Sequence, residues 1–487
     1  MQKLLSKINA IYLVLALFVI GNLYVLGYKR DYFYEYNAIP FVLIIGYYAI
    51  YHLEKLLLLL AFITPLSVSL KELGYYGPVN LSIPAEPLMA GLMLIYFFHK
   101  LFTNKYDYRI NRHPLTVLIY IQLIWLVITT LASEDILISI KFLVARLWFL
   151  FSAYFLANYL FKNKKNFVPF LSSYMISLAI VCLYTIFMHS RYGFDHKSAD
   201  WVMSPFYNDH TAYGAALAMF IPVVVSFLFM RSINSFNKLM YVGLLLLFIV
   251  AIILSYARAA WVGLVVAILV YVTMRLRFNF KTLFVIVFGT IILFFSFQDE
   301  ILIALGRNNT DAEEGFLNNI ESVSNISTDA SNLERLNRWS CAIRMWQDKP
   351  VFGWGPGTYM FMYAPYQLSS QTTVISTNFG TNGNAHSEYL GPLAEEGLPG
   401  LIIVLCIVLY TFNFGYRLFK EIEDRDTKLV ATGVFLGLVT YFIHGVMNNF
   451  LDTDKLSLPF WSFLSIMVCI DLFHLKKDSE ETKTSNR

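Results

Sequence analysis

The sequence predicts an all-α, polytopic integral membrane protein of 12–14 transmembrane helices with one long, partly helical loop on the outer face. Three observations predict it: a shortage of charge, apolar residues gathered into long runs, and basic residues concentrated on one side of those runs. Of 487 residues, 57% are hydrophobic and 14% charged, against roughly 45–50% and about 25% in soluble domains. With 42 Phe, 32 Tyr and 8 Trp, the chain carries too much buriable surface to be disordered. A water-soluble enzyme is excluded.

A helix needs roughly 17–25 residues to cross the hydrocarbon core. Apolar runs of that kind lie near 8–27, 38–52, 56–70, 83–99, 114–131, 137–161, 167–188 and 212–230. Others lie near 239–257, 259–275, 282–298, 387–413, 429–446 and 457–474. The runs 38–52 and 56–70 are short and read as two spans or as one broken unit. The first run lacks a small-residue cleavage site and is followed by many more, so it reads as a first span rather than a signal peptide.

Placing the N-terminus inside assigns 23 of the 37 Lys and Arg to inner segments. Only six (Lys29, Arg30, Lys71, Arg191, Lys197 and Lys455) fall in short outer loops. That bias puts both termini in the cytoplasm. The expected organisation is helices with short loops over 1–298, a long outer loop over 299–386, further helices over 387–474, and a cytoplasmic tail over 475–487.

The long loop is acidic in its first half (Asp311, Glu313, Glu314, Glu321, Asp329). A structureless loop of this length is uncommon unless it is functional. From about Asn332 to Asp348, Leu333, Leu336, Trp339, Ile343 and Trp346 recur at helical spacing. Pro350 and the run Gly353-Trp-Gly-Pro-Gly357 end that helix. The four cysteines show no pairing or metal-type spacing.

Charges at membrane depth are expensive and mark candidate functional sites. Arg258, in Ser255-Tyr-Ala-Arg-Ala-Ala-Trp261, separates two apolar runs at the outer surface. It reads either as a snorkelling residue or as an anion site of the kind arginine serves for phosphates. Arg335 and Arg338 stand on the loop helix on the same side, as anion ligands or as a solvated helix face. Arg146 and Lys141 share one span, with no acidic partner assignable from sequence. His52, His99 and His474 fall at inner helix ends, and His444 lies near the outer end of a span beside Asn448 and Asn449. No ligand spacing supports a metal site from His196 and His210, so none is expected. His386, in Asn384-Ala-His-Ser-Glu-Tyr-Leu390, sits where the long loop re-enters the membrane. It suits a neutral general base, or else it caps the following helix.

These segments together resemble the O-antigen ligase and polymerase superfamily. The resemblance rests on Arg258-Ala-Ala-Trp261, on Arg335-Leu-Asn-Arg-Trp339 with Pro350-Val-Phe-Gly-Trp-Gly355, and on Ala385-His-Ser-Glu-Tyr-Leu390 with Glu396-Gly-Leu-Pro-Gly400. Asn208-Asp-His-Thr-Ala-Tyr-Gly214 resembles the family's helix that opens with a polar asparagine. The resemblance implies a glycosyltransferase at the periplasmic face of the bacterial inner membrane. Such an enzyme moves a glycan from a polyprenyl-diphosphate carrier onto an acceptor hydroxyl, which is the lipid A core in ligases and another lipid-linked repeat in polymerases. A lipid-linked glycan flippase is the alternative from another class.

The resemblance assigns His386 as the base and Arg258 and Arg335 as diphosphate ligands, with Arg338 as a further cation. Tyr389, Glu388, Asn208 and Arg146 are acceptor or supporting candidates. No cofactor, metal or nucleic acid is expected; the partners are the lipid-linked donor, the glycan acceptor and membrane lipid. Ser387 stands where asparagine is common in the family, and Ser255 is separated from Arg258 where the two are commonly adjacent.

Overall fold

The computed structural model describes residues 2–75, 80–102, 107–277, 330–369 and 383–475. It is almost wholly helical, with a single two-stranded ribbon in which Val68 pairs with Ile83 and Ser69 with Ser82 among the described residues.

The chain divides into a small unit, Met1–Leu59, and a large one, Leu60–Arg487. Within the small unit, α1 (Gln2–Tyr28) and α2 (Phe33–Tyr51) pack as a pair. Phe18 stacks on Tyr36 at 5.2 Å. Asn22 and Asn37 exchange amide hydrogen bonds of 3.0 and 2.8 Å, a polar pairing that suits helices bathed in lipid. α3 (Leu53–Ile63) follows and leads into the large unit.

The large unit continues through α4 (Ala85–Phe102), α5 (Pro114–Leu131), α6 (Ile136–Phe161) and α7 (Phe167–Ser190). Next come α8 (His210–Leu228), α9 (Ser235–Leu254) and α10 (Arg258–Arg275). The loop helix α11 (Ala330–Asp348) precedes α12 (Leu390–Glu421), α13 (Arg425–His444) and α14 (Asp454–Cys469). Side-chain oxygens of Asp135, Asp209, Asn234 and Asp424 accept from the first free N–H groups of α6, α8, α9 and α13. This is why short polar residues punctuate the apolar runs.

α8, α13 and α14 form the enclosed centre, whereas α5, α9 and α10 present most of their surface outward. Small residues let the central helices approach closely. A Cβ on Gly437 would stand 2.4 Å from the Met219 carbonyl oxygen, and one on Gly263 would stand 2.8 Å from that of Thr440. Close backbone contact of this kind drives helix association in lipid, where hydrophobic burial adds little.

Ten helices among the described residues are long and apolar enough to cross a membrane, so the chain is a multi-pass helical membrane protein. The expected span at 282–298 and the acidic first half of the long loop lie outside the described residues. The run 56–70 is divided, because α3 ends at Ile63 and Pro65 opens a tight turn. Lys455 is no loop residue. It is buried in the first turn of α14, where its ammonium donates to the carbonyls of Thr64 (3.2 Å) and Ser67 (2.8 Å) and to the Ser67 hydroxyl.

Candidate active site at the loop–helix junction

Two sequence motifs that are forty residues apart form one interlocking structure. Gly397 adopts a left-handed backbone (φ 72°) and divides α12 into a short head and a long body. A Cβ there would lie 2.1 Å from the Val351 carbonyl oxygen, and one on Gly353 would strike the Glu395 carbonyl. Trp354 and Gly355 donate their N–H groups to the carbonyls of Ala394 (3.1 Å) and Glu395 (2.9 Å), and Leu398 donates to that of Pro350 (2.9 Å). The Glu395 carboxylate accepts from the backbone of Gly357 (3.0 Å) and Tyr359 (2.9 Å). The segment after α11 is thereby bolted to the head of α12.

His386 stands just ahead of that head, with φ 46°. A left-handed backbone is unfavourable for a side-chain-bearing residue, and neighbours on both sides hold it. Its N–H donates to the Asn384 side chain (3.1 Å), and the Asn384 carbonyl accepts from Arg338 (3.3 Å). The capping role falls to Ser387, whose hydroxyl accepts from the N–H groups of Tyr389 (3.2 Å) and Leu390 (3.3 Å). Serine and asparagine cap comparably, which accounts for the departure at this position. Burial, with the charges of Arg338 and Arg335 adding to it, pushes the His386 imidazole down to about 3. It is therefore neutral at physiological pH.

Glu388 and Tyr389 tie the junction to the end of α13. The Glu388 carboxylate accepts from the Tyr441 hydroxyl (2.6 Å) and from the N–H groups of Phe450 (2.8 Å) and Leu451 (2.9 Å). The Tyr389 hydroxyl donates to the Phe442 carbonyl (2.8 Å).

The two loop-helix arginines have different surroundings. Arg338 is buried, donates to the buried Glu334 carboxylate at 2.8 Å and lies over the Tyr363 ring. The half-buried Arg335 turns toward the junction, and its charge reaches His386, His210 and His444. Sequence reasoning noted those two further histidines but assigned neither to this site. His444 is fully buried at the end of α13; Asn448 meets its Nε2 at 3.2 Å, and its Nδ1 has no hydrogen-bond partner among the described residues. His210 opens α8 and pairs with Asp200 at 3.1 Å. The one signal for His444 was its i, i+4 spacing to Asn448; no local pattern marks His210 as a neighbour of Arg335.

Arg258 is the first residue of α10, after a turn in which Tyr256 has φ 51°. The Ser255 hydroxyl donates to the Ile252 carbonyl (2.8 Å) and accepts from Ala257 N–H (3.3 Å), so Ser255 shapes the turn. The Trp261 indole donates to the Ile252 carbonyl (2.9 Å). Gly214 of α8 admits Ala257 closely, since a Cβ there would lie 2.4 Å from that of Ala257. α10 crosses α13 at Gly263 and Thr440. At a rise of about 1.5 Å per residue, Arg258 and His444 lie at similar heights beyond that crossing. Asn208 is exposed one residue before the capping Asp209.

A cavity of about 230 Å³ opens against the other side of the junction. Asn384, Ser387, Glu388 and Tyr389 line it, together with Glu395, Glu396, Asp452 and Arg146; its deeper wall is apolar, with Leu126, Ile407, Phe442 and Trp461. Arg146, unpaired on sequence grounds, donates to the Leu451 carbonyl (3.0 Å) and faces Glu395, Glu396 and Asp452. The Trp461 indole N–H is buried without an acceptor among the described residues. The charges of Arg338 and Arg335 act on His386, while its chain neighbours Ala385 and Ser387 line the carboxylate-bearing cavity.

Residues 243–405, which hold Arg258, Arg335, His386 and the clamp, match the family model described as O-antigen ligase. Over that stretch the chain is similar to the O-antigen ligase superfamily. A protein of Haemophilus influenzae, itself called an uncharacterized protein, is 23% identical over 259 residues, which is 52% of this chain. The chain spans about 61% of that relative's length.

Proposed function

We propose that this protein transfers a glycan from a polyprenyl-diphosphate carrier to a sugar hydroxyl, as an O-antigen ligase acting at the periplasmic face of the inner membrane, with lipid A core as the acceptor. The observation that carries this reading is neutral, buried His386 within reach of the Arg338 and Arg335 charges, in a junction whose neighbouring residues Ala385, Ser387 and Glu388 line a cavity. His386 takes the proton of the acceptor hydroxyl. The hydroxyl oxygen attacks the anomeric carbon, the bond from that carbon to the diphosphate oxygen breaks, and the carrier diphosphate leaves with the electron pair. A single displacement inverts the anomeric centre.

Arg335 and Arg258 hold the negative charge that grows on the leaving diphosphate, a stabilisation worth about 10²–10³-fold per donor in comparable sites. Arg338, engaged by Glu334 and the Asn384 carbonyl, holds the His386 segment in place. Because guanidinium groups supply the cationic charge, transfer is expected to survive a chelator. Glu388 and Tyr389 support the junction, and the carboxylate-lined cavity with Arg146 offers acceptors for sugar hydroxyls.

Purified protein reconstituted with a lipid-linked donor and a lipid A core acceptor tests the reading. A new glycosidic bond to the core supports ligation. Extension of one lipid-linked repeat by another would make the protein a polymerase, and movement of donor across the bilayer without a new bond would make it a flippase.

A further inference from the structure

A second cavity, of about 520 Å³, lies at the opposite end of the bundle from His386. The ends of α10, α12 and α13 enclose it, and five cations line it: Arg275, Arg277, Lys420, Arg425 and Lys428. Among the described residues no carboxylate lines it. Three of the four acids around the nearby α12–α13 turn have other partners, and the fourth, Glu423, is exposed and does not line the cavity. Glu421 pairs with Arg417 at 3.2 Å, Asp424 caps α13 through Thr427, and Asp426 accepts from the N–H groups of Arg231 and Ser232 at 2.8 Å.

The cations are pre-oriented. Lys420 lies 4.3 Å from the Tyr416 ring centroid and Lys428 5.4 Å from that of Phe419, while Arg425 donates to the Phe229 carbonyl at 3.2 Å. The remaining lining is apolar or weakly polar: Tyr271, Met274, Phe419, Leu429 and Thr432. Tyr271 lies on the outward face of α10, so the cavity reaches the surface that meets lipid.

Five cations with no lining acid among the described residues leave a large positive charge, and a soluble anion would gain nothing from the apolar floor. Basic pockets between helix ends at a membrane surface suit phosphate-bearing lipid headgroups, each cation near the surface contributing about a fivefold gain in binding. We propose that this cavity binds a phospholipid headgroup with two phosphodiesters, its floor receiving the first methylenes of the acyl chains. The site is independent of glycan transfer, since it shares no residue with the His386 junction.

The test is native mass spectrometry or binding titration of the full chain in non-ionic detergent with diphosphatidylglycerol, phosphatidylglycerol and phosphatidylcholine, and with inorganic pyrophosphate as competitor. Diphosphatidylglycerol is expected to bind tightest and phosphatidylcholine weakest. Arg275→Gln with Lys420→Gln is expected to weaken diphosphatidylglycerol at least tenfold without moving the melting temperature in lipid-free detergent. If the double variant does not fold, Lys420→Gln alone, at an exposed side chain, is expected to cost about fivefold. Equal binding of all three lipids, or unchanged affinity in the variants, overturns the proposal. Displacement by pyrophosphate at matched concentration would make the site one for free phosphates and overturn the lipid assignment.

Discussion

Glu395→Ala is expected to loosen the bolt that sets the loop helix against the head of α12. The carboxylate accepts two backbone N–H groups, from Gly357 at 3.0 Å and Tyr359 at 2.9 Å. Hydrogen bonds to a charged group contribute about 1.5–3 kcal/mol each, and an abandoned buried donor adds its own desolvation cost. Losing both hydrogen bonds therefore costs about 3–6 kcal/mol. Glu395→Gln keeps one acceptor oxygen and should cost about half as much. The assay is thermal unfolding in detergent combined with limited proteolysis of the segment 349–369. The expected result is a melting temperature several degrees lower for the alanine variant, an intermediate value for glutamine, and faster cleavage in that segment. Equal stability of all three proteins, with unchanged proteolysis, would refute the clamp.

Gly397→Ala places a methyl group on the Val351 carbonyl oxygen in a left-handed backbone; it should destabilise by at least about 1–3 kcal/mol, read by the same unfolding assay. Arg335→Gln should lower transfer about 10²–10³-fold with native stability, whereas Arg338→Gln, which strands buried Glu334, should lower stability as well; melting curves beside initial rates separate the two. The pH dependence follows from His386. Its folded value of about 3 lies below the ordinary 6.5 of histidine, so the unfolded chain binds the extra proton between them. Stability from this group is intact above about pH 6.5 and is lost as pH falls toward 3. Donor diphosphate offsets the Arg335 charge, so the acid limb of kcat should lie at higher pH than that of kcat/KM; coincident limbs would contradict that coupling.

Much of this architecture is written locally in the sequence. Apolar runs mark the spans because lipid leaves only helices to satisfy the backbone. The periodic Leu336, Trp339, Ile343 and Trp346 mark the loop helix, which the structure extends to Ala330–Asp348. His386 was legible because its polar segment meets an apolar run. The pairings were not legible. Gly353–Gly357 reads alone as a helix stop and Glu395–Gly400 as a kink, and only the fold joins them. Arg335 and Arg338 look alike on one helix, yet Arg338 is the buried one, with Glu334 four residues away as its partner. His444 resembles any histidine at a helix end, because the approach of Arg335 comes from a segment a hundred residues away.

The measurement that bears most directly on the central claim is single-turnover transfer with a purified polyprenyl-diphosphate-linked glycan, comparing wild type with His386→Ala at matched stability. The account predicts a chemical step slowed by about 10²–10⁴-fold, with donor binding retained through Arg335 and Arg258. Transfer at the wild-type rate in the folded variant would contradict it.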